Sequence, residues 1–200
     1  MKTIQIFDNI ISKSEQDKFE NHLYSLDFPW FYVRDIALKD NQTQKRPGFT
    51  HSFQKFGKVN SEGFDFIKKI SQSVNKKLKN DLKEYHTRSF LQLPLNENYL
   101  FKNSKTKHLE DTPHLDLWIP HTVYLYYIND CDGDTIIYDY KSKHKDDIPN
   151  YEQIKVLKKV TPKKGRVVVF DGMYWHSSSQ PTIGPRCIIN FDMIDENNNI

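Results

Sequence analysis

The sequence predicts a mainly β domain of the double-stranded β-helix (jelly-roll) class with supporting helices, on three observations. Eight strand-like runs follow one another between residues 86 and 194, separated by short turn signals. Two helical stripes precede them. No Pro/Gly/Ser-rich linker and no internal repeat divides the 200 residues, so 1–200 reads as one domain, with helical support over 1–84 and the jelly-roll core over 85–194.

The first helix is expected to start at a cap on Ser12 or Ser14 and to run toward Leu26, because Phe19, Leu23 and Leu26 recur at helical spacing. A second opens at Ser61. Its Phe66, Ile70, Val74 and Leu78 make an apolar stripe opposite a lysine-rich face, and both helices should pack on one sheet. The strands are expected at 86–93, 112–118, 121–129, 135–140, 153–160, 165–171, 174–179 and 186–194. Asn129 to Asp134 form the tightest connection, and the charged run 141–150 reads as a mobile loop at the pocket mouth.

With 8 His and 18 Asp, a His-x-Asp tripeptide is expected by chance about 0.7 times, so context must decide. His108-Leu109-Glu110 lies in a lysine-rich stretch and His144-Lys145-Asp146 in the charged run KSKHKDD. Neither offers a rigid frame. His114-Leu115-Asp116 instead runs into the apolar LWI and TVYLYYIN, where two residues two apart on a strand share a face. His176 sits near the middle of a strand that follows the buried run VVVF. Two imidazoles and a carboxylate on neighbouring elements make the three-ligand face that holds non-haem Fe(II) with other positions open. Arg186 stands ten residues past His176. On the last strand Arg186, Ile188 and Asn190 share one face, and Cys187, Ile189 and Phe191 the other.

From Thr112 to Ile194 the chain resembles the 2-oxoglutarate and Fe(II)-dependent dioxygenases of the prolyl-4-hydroxylase-like branch. The resemblance rests on His114 and Asp116, YLYYIND, Gly133-Asp134-Thr135, Pro162 with Gly165 and Arg166 before VVVF, then His176 and Arg186. Gly133-Asp134-Thr135 departs from the Gly-Gly-Glu-Thr of many relatives, which bears on the substrate-side loop. Small virus-encoded members also look similar around TIQIFDNII and Phe28 to Tyr32.

The resemblance implies Fe(II) ligands at His114, Asp116 and His176. It also implies a 2-oxoglutarate anchor at Arg186, helped by Tyr127 (with Tyr124 and Tyr126 as competitors) and by Asn190. Dioxygen is the second co-substrate and ascorbate a reductant. The product set is succinate, carbon dioxide and a hydroxylated peptidyl, prolyl or small-molecule substrate. An arginine fork suits a buried carboxylate. For the primary substrate, Arg88 and Gln92 share a strand face, and Trp118 and Trp175 flank the ligands.

A net charge of +3 with interleaved signs gives little support to a polyanionic partner. Nucleic-acid demethylases of the AlkB-like kind carry a second arginine six residues after the first, and Asp192 stands there. A non-catalytic jelly-roll binding module is the other alternative, and it predicts no affinity for 2-oxoglutarate. Cys131 and Cys187 make no disulfide framework, and the start lacks a signal-like apolar run, so the reading is cytoplasmic with no membrane partner.

Overall fold

The computed structural model describes residues 4–36, 46–96, 110–144, 147–151 and 153–196. In chain order these form β1 (Gln5–Phe7), α1 (Lys13–Leu23), β2 (Phe31–Val33), β3 (Gly48–Lys55), β4 (Lys58–Val59), α2 (Phe64–Leu78) and β5 (Lys83–Gln92). They continue with β6 (Thr122–Tyr127), β7 (Thr135–Lys141), β8 (Val156–Val160), β9 (Val167–Asp171), β10 (Tyr174–Ser178) and β11 (Arg186–Ile194). A large antiparallel sheet runs β1-β9-β6-β11-β5-β3-β2, with β4 on β3. A smaller sheet, β10-β7-β8, faces it. Two sheets over a pocket make the jelly roll that the strand spacing predicts.

Ser12 caps α1 through a capping box with Glu15, and a hydroxyl and a carboxylate satisfy otherwise orphaned donors. The helix ends at Leu23, and Leu26 lies outside it, 103% exposed. α2 starts at Phe64, one turn after Ser61, and its buried face runs Phe64, Ile67, Ile70, Ser71 and Val74. That face is rotated from the expected stripe, so Phe66 and Leu78 are only partly buried. Both helices pack on one side of the large sheet, against Tyr124, Tyr126, Val167, Val169, Cys187, Ile189, Phe191 and Met193.

β11 is buried along its whole length because it is covered on both faces. Its odd-numbered residues meet the helices. Ile188 joins Val123, Leu125, Tyr127, Ile137, Val160, Val168 and Phe170 in a second cluster between the sheets. The site lies beside this inner layer. Cys131 and Cys187 are free thiols, and Cys187 packs in the helix-facing core.

Three expectations change. Beyond the short opening strand expected at TIQIFDNII, the first 84 residues supply β2, β3 and β4 as well as helices, and β3 pairs with β5 inside the large sheet. Residues 112–118 do not form a strand. Pro113 and Pro120 withhold backbone donors there, and only His114 bridges to His176, while Glu110 bridges to Ser179. The described part of 141–150 folds back on itself. Asp147 accepts from the Lys143 amide at 2.8 Å and from the Tyr140 hydroxyl, Ser142 Oγ donates to the Asp147 carbonyl at 2.6 Å, and none of these residues lines the cavity.

Candidate active site

His114 and His176 are directly opposed across an antiparallel bridge, each backbone amide donating to the other's carbonyl at 2.9 and 3.1 Å. Opposed residues put their side chains on one face, and the two rings stand 4.8 Å apart. Each Nδ1 lies 3.1 Å from a backbone carbonyl two residues back, Thr112 for His114 and Tyr174 for His176. A donated Nδ1–H fixes the tautomer and leaves Nε2 free to bind a metal. Asp116 completes the set. One ligating atom from each of the three residues lies within 4.8 Å of the other two.

Two nitrogens and one carboxylate oxygen, on a wall that opens to a cavity, are the donor set of a facial Fe(II) site. Burial raises the cost of ionising Asp116, yet Arg88, His176 and His114 outweigh it and hold the carboxyl well below its ordinary value. Burial, reinforced by His176, pushes His114 down, so it is neutral and ready to ligate.

The cavity measures about 270 Å³ and is lined by Arg88, Phe90, Gln92, His114, Asp116, Leu125, Thr135, His176, Arg186, Ile188 and Asn190, among others. Val33 at the end of β2, and Asp35 and Ile36 just after it, also contribute. Arg186 is 3% exposed. Its Nε donates to the Gly133 carbonyl at 2.9 Å, Nη1 to Gln92 Oε1 at 3.1 Å and Nη2 to Thr135 Oγ1 at 2.9 Å. Gly133 permits this approach, since a Cβ there would come within 2.9 Å of Arg186 Cδ and of the Ser179 carbonyl.

Tyr127 lies behind this wall. Its hydroxyl donates to Thr135 Oγ1 at 2.7 Å, and burial pushes its pKa up to about 12. Thr135 therefore accepts two hydrogen bonds and keeps its own proton to donate into the cavity. Sequence reading noted Thr135 only as the close of a turn. The signal for it was the Gly-x-Thr itself, whose glycine admits Arg186 and whose threonine meets it.

Asn190 lines the cavity, and its amide donates to Asp116 Oδ2 and to Asp192 Oδ1, both at 3.1 Å. It is thus turned toward Asp116 rather than toward Arg186. Arg88 also lines the cavity but reaches Asp116 Oδ1 at 2.6 Å and Asp192 Oδ2 at 3.5 Å. Gln92 is fixed between Arg186 and Asp111, which in turn is paired with buried Arg46. The tryptophans are placed elsewhere. Trp175 packs with Ile136 and Tyr138 and donates to Ser142 Oγ at 2.7 Å, while Trp118 stands against it, 45% exposed.

No protein-family model matches the chain, and no curated protein sequence matches it. Solved structures do match. SnoN, a non-haem α-ketoglutarate-dependent epimerase from nogalamycin biosynthesis, superposes with a TM-score of 0.65 at 11% identity, covering 97% of this chain and 79% of that one. A prolyl hydroxylase of Trichoplax adhaerens, solved with a hypoxia-inducible-factor peptide, gives 0.61 at 15% identity over 98% and 86%. The viral collagen prolyl hydroxylase of Paramecium bursaria Chlorella virus-1, solved with 2-oxoglutarate, gives 0.52 at 16% identity over 96% of each chain. This chain has the 2-oxoglutarate and Fe(II) oxygenase fold. In that oxygenase fold the two histidines, Asp116 and Arg186 lie on the walls of one cavity between the sheets. Among the described residues no helix is long and apolar enough to cross a membrane.

Proposed function

We propose that the protein is a 2-oxoglutarate and Fe(II)-dependent dioxygenase that hydroxylates a C–H bond of a peptidyl substrate, prolyl included, or of a small molecule. One observation carries the reading. A two-histidine, one-carboxylate cluster and a buried, fully oriented arginine share a single cavity in a fold that hosts this chemistry elsewhere. When bound, Fe(II) supplies oxidative chemistry with dioxygen and 2-oxoglutarate, yielding succinate, carbon dioxide and one oxygen atom inserted into the substrate C–H bond.

The chain's own residues account for binding and orientation. His114, Asp116 and His176 would hold the metal. Arg186 and Thr135 offer two kinds of donor to the far carboxylate of 2-oxoglutarate, and the guanidinium offsets the desolvation of that charge. Leu125 and Ile188 line the cavity between these ends and exclude water from the methylene chain of the co-substrate. Of the structures named above, one is a prolyl hydroxylase in complex with a peptide fragment and one an epimerase from nogalamycin biosynthesis, so a peptidyl and a small-molecule substrate both suit the fold.

The test is an anaerobic titration of the apoprotein with Fe(II) and 2-oxoglutarate, following the visible charge-transfer band of the bidentate complex. Wild type should show the band, and His176→Ala should not. No band in wild type, with folding intact by circular dichroism, would leave a non-catalytic binding module as the better account.

A further inference from the structure

His114 and His176 ride on a paired backbone, but Asp116 lies beyond that bridge in an irregular segment, so no sheet register fixes its carboxylate. Its neighbours do. Arg88, across from Asn190 in the β5–β11 pair, donates to Asp116 Oδ1 at 2.6 Å. Asp116 Oδ2 accepts from Asn190 Nδ2 at 3.1 Å and is left toward His176 Nε2, also 3.1 Å away. Arg88 is itself gripped from the other side. Asp192, fully buried on β11, lies 3.5 Å from the same Nη2.

Asp192 is an expensive group to bury. Among the described residues its Oδ2 has no hydrogen-bond partner, and neither have buried Arg88 Nε, Asn190 Oδ1, His86 Nδ1 and His121 Nε2 around it. The two imidazoles stand 3.7 and 3.9 Å from its carboxyl, beyond hydrogen-bond reach. Among the described side chains Asn190 donates to it, at 3.1 Å. The chief compensation for burying this carboxyl is the guanidinium it shares with Asp116.

We propose that Arg88 and Asp192 form a clamp that sets the orientation of Asp116, so that one oxygen is committed to Arg88 and the other faces the metal. The inference rests on the oxygenase reading above. Arg88 is a positioning residue, and its charge is already met by the Asp116 carboxylate.

Co(II) serves as the probe, because its visible d–d absorption reports ligand geometry without turnover. Apoprotein of wild type, Arg88→Gln, Arg88→Lys, Asp192→Asn and His176→Ala is titrated with Co(II), and 2-oxoglutarate is then titrated at saturating Co(II). Loss of an outer-shell partner should weaken Co(II) binding ~10–100-fold in Arg88→Gln and alter the spectrum, with partial recovery in Arg88→Lys. Asp192→Asn should weaken it in the same sense, while 2-oxoglutarate affinity changes less than about 3-fold, because Arg186 is untouched.

Wild-type Co(II) affinity and spectrum in both Arg88→Gln and Asp192→Asn would overturn the clamp alone. If wild type binds Co(II) no better than His176→Ala, the metal-site reading fails and the clamp with it. Should Arg88→Gln not fold, the near-isosteric Asp192→Asn decides the question.

Discussion

Thr135 Oγ1 takes a hydrogen bond from Arg186 and another from Tyr127, which leaves its one proton for a ligand. Thr135→Val should therefore raise the 2-oxoglutarate concentration for half-saturation about 10-fold, the equivalent of one hydrogen bond, while leaving metal affinity alone. Arg186→Ala removes the counter-charge and should raise it ~100-fold or more. Both are read from the anaerobic charge-transfer titration, and an Arg186→Ala curve that overlays wild type would reject the anchor. His86 gives a pH dependence. Burial, then Arg88, lowers its pKa from 6.5 to about 4, against a smaller opposing pull from Asp116. Between these values the unfolded chain binds more protons, so stability is full above pH 6.5 and is lost as the pH falls toward 4. The urea midpoint of His86→Gln should fall less steeply over that window than that of wild type.

At the scale of elements, the ligands come from an edge. β10 is the free edge of the smaller sheet, and the segment from Glu110 to His114 attaches to it by two isolated bridges. His114-Leu115-Asp116 running directly into LWI predicts a full strand at 112–118, yet two prolines deny it a ladder. The His–His opposition survives because a single bridge suffices to set which face each ring shares. Close packing between elements is equally specific. A Cβ on Gly172 would lie 2.1 Å from His121 Nε2, whose ring is buried over the glycine between β9 and β10. Gly172→Ala should destabilise the protein by about 1–3 kcal/mol. Each kcal/mol lowers Tm by roughly 2–4 °C in a chain of this size. An unchanged melting curve would show that His121 moves aside freely.

At the scale of the whole molecule, the cavity is closed by parts far apart in sequence, and a buried polar tie joins them. Arg46 pairs with Asp111, and Asp111 also accepts from Gln92 on β5 and Ser178 on β10. Breaking a buried pair from one side is costly, so Asp111→Ala should lose about 3–5 kcal/mol, measured by urea unfolding. A loss within ~0.5 kcal/mol, the range of ordinary surface substitutions, would mean the pair is dispensable. Ligand binding should act in the opposite direction. Mn(II) with 2-oxoglutarate, each at about 100 times its Kd, should stabilise wild type by ~2.7 kcal/mol per independent site, and His176→Ala by far less. Equal shifts in both proteins would place binding outside this cavity.

The sequence by itself determined the layered β architecture, a cap for α1 at Ser12 or Ser14, and the two faces of β11. Those features follow from local rules, namely period-two alternation, helical spacing and turn chemistry, which a chain carries wherever it folds. Partnership was decided only by the tertiary structure. Asp116 met Arg88 and Asn190, Tyr127 was set behind Thr135, Trp175 joined the cluster of Ile136 and Tyr138, and Val33, Asp35 and Ile36 reached the cavity. Each of these depends on which strands become neighbours and in what register. Such pairings between distant residues leave no periodic trace in a single chain.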